Sequence, residues 1–355
     1  MTDSSLAPNL TAPQQKPRPL TLFLEMLRSE TAHDPQRMAR ALRGLRAYQE
    51  ATRTPPPEPM PAVAGRRGAC LRDYGGPGAP VLFIPSLINP PNILDLSAER
   101  SLLRWLAAQG HHVLLLDWGH ASRERRELSV GGHVEEIVLP LLQSVGEKPV
   151  LAGYCLGGTM AVAAASLAPV RGLATMAAPW RFAAYPETAR AMLAALWTGA
   201  RTETRRLGVL PMEVLQCAFW NLDPSRTIAK FEAFADFAPD SREARDFVML
   251  EDWANDGPPL PAAAAREIFE GFFEQDRPGR EQWSVGGAGI DPATLSCPQL
   301  HLVSRADRIV PEAACVPTGE RLVLDRGHVG MVVGSRARAL LWEPLHRWVS
   351  QLRTS

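Results

Sequence analysis

From residue 70 onward the chain alternates short apolar runs with amphipathic stretches. The runs are VLFIP (81–85), HVLLLDW (112–118), PVLAGY (149–154), GLATMAA (172–178), LHLVS (300–304) and RLVLD (321–325). They are close to continuously apolar, the pattern of strands buried on both faces. Between the first two runs, residues 98–109 carry Leu102, Leu103 and Leu106 at helical spacing. Residues 157–167 form an alanine-rich helical stretch after the third run, and 335–352 read as a final helix. Buried strands separated by helices predict an α/β chain built on a mostly parallel sheet, with helices on both faces.

The alternation stops between 180 and 295. That stretch contains FWNLDP (219–224), FEAFADF (231–237) and REIFEGFFEQ (266–275). Its periodicity is helical, so it reads as a helical cap inserted between the fourth and fifth runs. At the other end, residues 1–18 are polar and proline-rich and read as disordered. Asp34-Pro35 is a helix start, with aspartate as N-cap and proline in the first turn. Met38, Leu42, Leu45 and Tyr48 follow at helical spacing and should face a core. The stretch ATRTPPPEPMPAVAG (51–65) reads as a linker without regular structure. The expected division is therefore 1–65 as N-terminal segment and linker, 66–179 with 296–355 as core, and 180–295 as cap.

Composition narrows the functional classes. Lys+Arg and Asp+Glu each number 38, so the formal net charge is zero. That balance supplies no global field for nucleic acid or an anionic membrane. The five cysteines, Cys70, Cys155, Cys217, Cys297 and Cys315, are odd in number, and no two stand at CxxC spacing. This argues against a disulfide framework and against a zinc site. No apolar run reaches the ~18 residues of a transmembrane helix, and the first residues lack the apolar centre of a secretion signal. The expectation is a reducing cytoplasm, where free thiols survive.

The strongest chemical signal is Gly153-Tyr154-Cys155-Leu156-Gly157-Gly158, directly after a buried run and before a small-residue helix. It is the nucleophile elbow G-x-S-x-G with cysteine in the serine position. A strand that turns into a helix within a few residues leaves no room for side chains two positions either side of the nucleophile, hence the glycines. A helix N-terminus also favours negative charge at the sulfur. The backbone N–H of Leu156 would point at a developing oxyanion. A structural cysteine beside a tight turn would also attract glycines. The partners downstream decide against that reading.

Elbow enzymes carry an acid and then a histidine after the nucleophile. Asp307, in SRADRIVP, follows the LHLVS run, and His328, in DRGHVGM, follows RLVLD. Both fall at carboxyl ends of predicted strands, the edge where parallel sheets bind ligands. Asp325 is a rival acid, but it shares a turn with His328. His111, His112, His120, His133, His301 and His346 lack this context and read as structural or exposed. A second oxyanion donor should come from Pro85–Asn89 (PSLIN), through the N–H of Leu87 or Ile88. Together these features predict an α/β-hydrolase fold with a Cys155–His328–Asp307 triad.

The motifs resemble the polyhydroxyalkanoate synthases. GYCLGG looks like that family's cysteine-containing box. LINPPNILDL (87–96) and HHVLLLDWG (111–119) are similar to its sequence ahead of the box. MLEDWANDGP (249–258) resembles a cap segment, and SRADRIVP and GHVGM resemble the acid and histidine motifs. The resemblance runs over about residues 75–350, and the chain length is similar to that of the short class that works with a second subunit. The arginine-rich ASRERRELSVGGH (121–133) does not fit the pattern, and PWRFAAYPETARAML (179–193) fits it only loosely.

The resemblance implies (R)-3-hydroxyacyl-CoA as substrate and a polyester as product, with CoA released. Cys155 would carry the acyl chain, His328 would act as base, and Asp307 would orient His328 or help activate the 3-hydroxyl. Asp95, in ILDL, matches a family position and reads as structural. The resemblance also implies a second synthase subunit or a homodimer, and a cytoplasmic location or one on polymer granules. No metal and no cofactor is expected, since the CoA thioester is itself the substrate. The competing readings are a cysteine hydrolase of thioesters, esters or lactones, and a non-catalytic scaffold.

Overall fold

The computed structural model describes residues 16–120 and 123–352. Two helices, α1 (Leu20–Glu30) and α2 (Pro35–Glu50), precede the strands β1 (Ala62–Arg66), β2 (Ala69–Asp73) and β3 (Pro80–Ile84). Helix α3 (Leu102–Ala108) leads to β4 (His112–Asp117), and α4, a helical segment over 130–144, leads to β5 (Val150–Tyr154). Then come α5 (Leu156–Leu167) and β6 (Gly172–Met176). The insertion carries α6 (Glu187–Leu207), α7 (Met212–Asn221), α8 (Pro224–Phe234), α9 (Arg242–Asn255) and α10, a helical segment over 262–274. Strands β7 (Gln299–Ser304) and β8 (Glu320–Leu324) and a helical segment over 338–351, α11, follow.

The eight strands form one sheet in the order β1-β2-β4-β3-β5-β6-β7-β8. Only the β1/β2 and β2/β4 pairs are antiparallel; the other five are parallel. Every residue of β3, β5 and β6 is buried, which is why these runs are uniformly apolar. The parallel register sets Gly153 of β5 between Ile84 of β3 and Thr175 of β6. The carboxyl ends of β5, β7 and β8 therefore open on one edge of the sheet.

The chain divides into two compact units. One comprises residues 57–212 and the chain from Gly257 onward, and it holds the whole sheet. The other joins the chain up to Pro56 with Glu213–Asp256. In this second unit Phe23, Leu45, Tyr48, Trp220, Phe231 and Phe234 share a buried core. Gly44 lets α2 approach α8 closely, since a Cβ there would lie 1.8 Å from the carbonyl oxygen of Phe231. Tyr48 donates to Asp252 at 2.7 Å, and Lys16 and Arg53 pair with the same carboxylate at 3.5 and 3.1 Å.

Several sequence expectations change here. The segment 180–295 does not form one unit: α6 and α10 belong with the sheet, whereas 213–256 packs with the N-terminal helices. The reason is apolar surface, because α1 and α2 bury their aromatic face against α8 and α9. Within α2 the buried positions are Ala41, Gly44, Leu45 and Tyr48, while Leu42 is 41% exposed. The expected linker ends in β1, which pairs with β2 through Ala62↔Arg72 and Arg66↔Ala69. Of the disordered stretch expected over 1–18, residues 1–15 lie outside the described residues. Lys16 and Arg18 are held by Asp256 and Asn255. The Asp34 cap stands as expected, accepting from the N–H of Arg37 at 2.9 Å.

Candidate active site

Cys155 sits between the last residue of β5 and the first of α5, with φ 55° and ψ −131°. A non-glycine residue there is strained by ~1–3 kcal/mol, and such strain persists only where the surroundings enforce it. The enforcement is visible on all sides. A Cβ on Gly153 would lie 2.4 Å from the Cα of Gly158, and one on Gly157 would lie 2.1 Å from the oxygen of Ile84. One on Gly158 would strike the Cβ of Ala178 at 2.3 Å. The Cys155 N–H donates to Met176 O at 2.9 Å, which anchors the turn to β6.

His328 and Asp307 lie in the loops after β8 and β7. The His328 Nδ1 is 2.6 Å from Asp307 Oδ2, and both residues are buried. The other carboxylate oxygen of Asp307 accepts the N–H groups of Ile309 and Val310 at 2.8 and 3.0 Å. Burial alone would strip the ring's proton. The charges of Asp307 and Cys155, with the hydrogen bond to Asp307, outweigh it and push the His328 pKa up to about 10. The structure thus pairs His328 with Asp307, and Asp307, not Asp325, is the acid within reach.

Leu156 opens α5 beside the sulfur. The loop after β3 runs against the elbow through the Gly157 contact with Ile84 and Pro85. The Trp118 indole fixes this loop by donating to Pro85 O at 3.0 Å. Within it, the Ile88 N–H donates to Ser86 Oγ at 3.1 Å. Asp95 is bound on both oxygens by Arg104, at 2.8 and 3.0 Å, and by the Tyr74 hydroxyl at 2.9 Å. That carboxylate has a structural occupation. His301, His111 and His112 are held by Thr175, His346 and Asp73.

Four residues near the triad escaped the sequence reading. The Tyr154 hydroxyl donates to the carbonyl of His328 at 3.2 Å, and the two rings lie 5.1 Å apart. The Ser304 hydroxyl donates to Arg326 O at 2.5 Å and accepts from Arg326 N at 3.1 Å, stapling the acid loop to the histidine loop. Tyr185 and Cys315 are buried nearby. Burial first, then the charges of Asp307, Glu312 and Cys155, push the Cys315 thiol up to about 12 against the pull of Arg321. Burial and the charges of Cys155, Cys315 and Asp307 raise the Tyr185 phenol well above its usual range. Tyr154, inside the elbow motif, was open to suspicion from sequence; Ser304, Tyr185 and Cys315 carry no local signal.

Among the described residues, no cluster of three or more His, Cys, Asp or Glu side chains could hold a metal ion. Among them, too, no helix is long and apolar enough to cross a membrane.

The chain is 28% identical over 288 residues to the poly(3-hydroxyalkanoate) polymerase subunit PhaC of Haloferax mediterranei. That match covers 77% of this chain but only 58% of the relative's length. The corresponding subunit of Allochromatium vinosum is 27% identical over 299 residues, covering 79% of this chain and 84% of that one. A thermophilic esterase from Thermogutta terrifontis superposes with a TM-score of 0.52 at 19% identity, over 83% of this chain and 98% of the esterase, a likeness of fold. The model of the family described as "Alpha/beta hydrolase family" matches residues 81–341, from β3 into α11. With the elbow at the end of its central parallel strand, this chain belongs to the alpha/beta hydrolase family.

Proposed function

We propose that the chain is a polyhydroxyalkanoate polymerase subunit that builds polyester from (R)-3-hydroxyacyl-CoA through an acyl-cysteine at Cys155. One arrangement carries the reading: His328 Nδ1 lies 2.6 Å from Asp307, and the charge of Cys155 helps hold the proton of the same ring. The substrate class is supported by likeness to the two polymerase subunits over more than three quarters of this chain.

In the first step Cys155 Sγ, its proton held by the His328 ring, attacks the thioester carbonyl carbon. The raised proton affinity of His328 keeps that proton on the ring while the sulfur attacks. The oxyanion takes the N–H of Leu156 and that of Leu87; the Ile88 N–H is already given to Ser86. The carbon–sulfur bond to CoA then breaks, and the CoA sulfur takes the proton from His328. Attacking and leaving groups are both thiols of similar basicity, which suits a cysteine nucleophile.

In the second step the 3-hydroxyl of another hydroxyacyl-CoA attacks the acyl-cysteine, and its proton goes to His328. An ester bond forms, the carbon–Sγ bond breaks, and the proton stays on His328 beside the freed sulfur. The lengthened acyl-CoA acylates Cys155 again. Asp307 orients the imidazole in both steps, because its oxygens are committed to His328 Nδ1 and two backbone N–H groups. Neither step changes an oxidation state, so the chemistry calls on no redox group.

The test is mass spectrometry of the Cys155 peptide after incubation with (R)-3-hydroxybutyryl-CoA, with and without cell extract as a source of a second subunit. Acyl oligomers on that peptide and an insoluble product are expected. A single transient acyl group with only free hydroxy acid released, under both conditions, makes the protein a hydrolase.

A further inference from the structure

Beneath the loop that follows β3 lies a second polar feature that the triad does not use. Arg125 is 2% exposed and His133 is fully buried, and both line a cavity of about 10 Å³ with Leu87, Trp118, Gly119 and Pro258. Arg125 donates through Nη2 to His120 O. Its Nε has no hydrogen-bond partner among the described residues, and neither has His133 Nε2. The His133 ring stands edge-on to Trp118 at 5.8 Å.

The chemistry of the two atoms is set by their surroundings. His133 Nδ1 lies 2.7 Å from Ser129 O, and a carbonyl oxygen only accepts, so Nδ1 carries the hydrogen. Burial, and then the charge of Arg125, pull the ring's pKa down to about 4 against the pull of the Ser129 carbonyl. The ring is therefore neutral near pH 7, and Nε2 presents a bare lone pair. Arg125 Nε–H presents a donor, and buried polar groups of this kind call for partners.

We propose that Arg125 Nε and His133 Nε2 form a binding site for one hydroxyl oxygen. A hydroxyl accepts from Arg125 and donates to His133, satisfying both atoms at once. A carboxylate or phosphate would turn lone pairs toward the lone pair of Nε2, and an ammonium would leave the Arg125 donor unmet. Size agrees, since a cavity of about 10 Å³ is near the least that holds one water-sized group. Leu87 lines the same cavity, so the bound oxygen braces the loop packed against Gly157. Two sources share this chemistry: a water molecule, or the 3-hydroxyl of the acyl group on Cys155. Only the second source rests on the polymerase reading.

The experiment is a pair of high-resolution crystal structures of the full chain, free and acylated with (R)-3-hydroxybutyryl-CoA. Cys155 acylation rates with this thioester and with butyryl-CoA are compared for wild type and His133→Phe. An oxygen bridging the two atoms in the free protein, with both thioesters slowed equally by H133F, supports the site with water as its occupant. An oxygen there only in the acylated protein, continuous with the acyl group, supports it with substrate as its occupant. The preference for the hydroxylated thioester should then fall roughly tenfold in H133F. Absence of an oxygen within hydrogen-bonding distance of both atoms in either structure overturns the proposal. So does a ¹⁵N shift showing His133 Nε2 protonated at pH 7, a result that stands whether or not the protein makes polymer.

Discussion

His328 Nδ1 and Asp307 Oδ2 lie 2.6 Å apart, although 21 residues separate them in the chain. The contact exists because β7 and β8 are parallel neighbours that end on the same edge, so each turn delivers one partner. Asp307 is clamped by two backbone N–H groups, and its remaining oxygen selects the His328 tautomer with hydrogen on Nδ1. Replacing it by asparagine keeps the shape and loses that selection. Asp307→Asn should lower acylation of Cys155 by roughly 10³- to 10⁴-fold, read as CoA release from (R)-3-hydroxybutyryl-CoA. A loss smaller than tenfold would remove Asp307 from the orienting role.

The same pair makes stability depend on pH. Folding raises the His328 pKa from 6.5 to about 10. A group more basic in the folded chain stabilises fully below its unfolded pKa and loses that contribution as pH rises through the folded one. Urea unfolding should therefore show stability falling between pH 6.5 and about 10. His328→Gln should flatten this decline. Cys155→Ala removes one of the charges that hold the proton and should move the upper end of the window down.

The elbow glycines make a packing prediction with an internal control. A methyl on Gly157 would lie 2.1 Å from Ile84 O and 2.5 Å from Pro85 O, both backbone atoms that cannot step aside. Gly157→Ala should cost about 3 kcal/mol or more, or abolish soluble expression. Gly199, within α6, has nothing within 4 Å of its added Cβ. Gly199→Ala should stabilise by about 0.5–1 kcal/mol. The urea midpoint measures both, and a Gly157→Ala protein as stable as wild type would contradict the packing argument.

Tyr154 acts through the backbone of its neighbour. Its hydroxyl donates to His328 O at 3.2 Å, fixing the loop that aims the imidazole at Cys155. Tyr154→Phe removes about 1 kcal/mol of neutral hydrogen bond. The turnover number should fall roughly fivefold with KM unchanged. A change in KM alone would assign Tyr154 to substrate binding instead.

Much of the site was legible because its signals are local. The elbow glycines answer a steric demand within six residues, and β3, β5 and β6 declare their burial by uniform apolarity. Asp307 and His328 stand out in the sequence because each follows such a run. β1 was missed because its Ala-Val-Ala-Gly-Arg residues are mostly exposed and carry no strand pattern. Apolar spacing puts Leu42 on the wrong side of α2, because Gly44, the point of closest approach to α8, has no side chain to mark it.

The sequence by itself determined the parallel sheet, the thiol at the strand–helix turn and the order of its acid and histidine. Steric fit and hydrophobic period act between near neighbours, so short motifs encode them. Only the tertiary structure decided that 213–256 packs with α1 and α2, and that Tyr154 braces His328. The same holds for the Ile88 N–H being taken up by Ser86, and for Arg125 and His133 sharing a buried cavity. Those outcomes depend on which surfaces are desolvated together and which polar atoms find partners there, and chain neighbours do not record either.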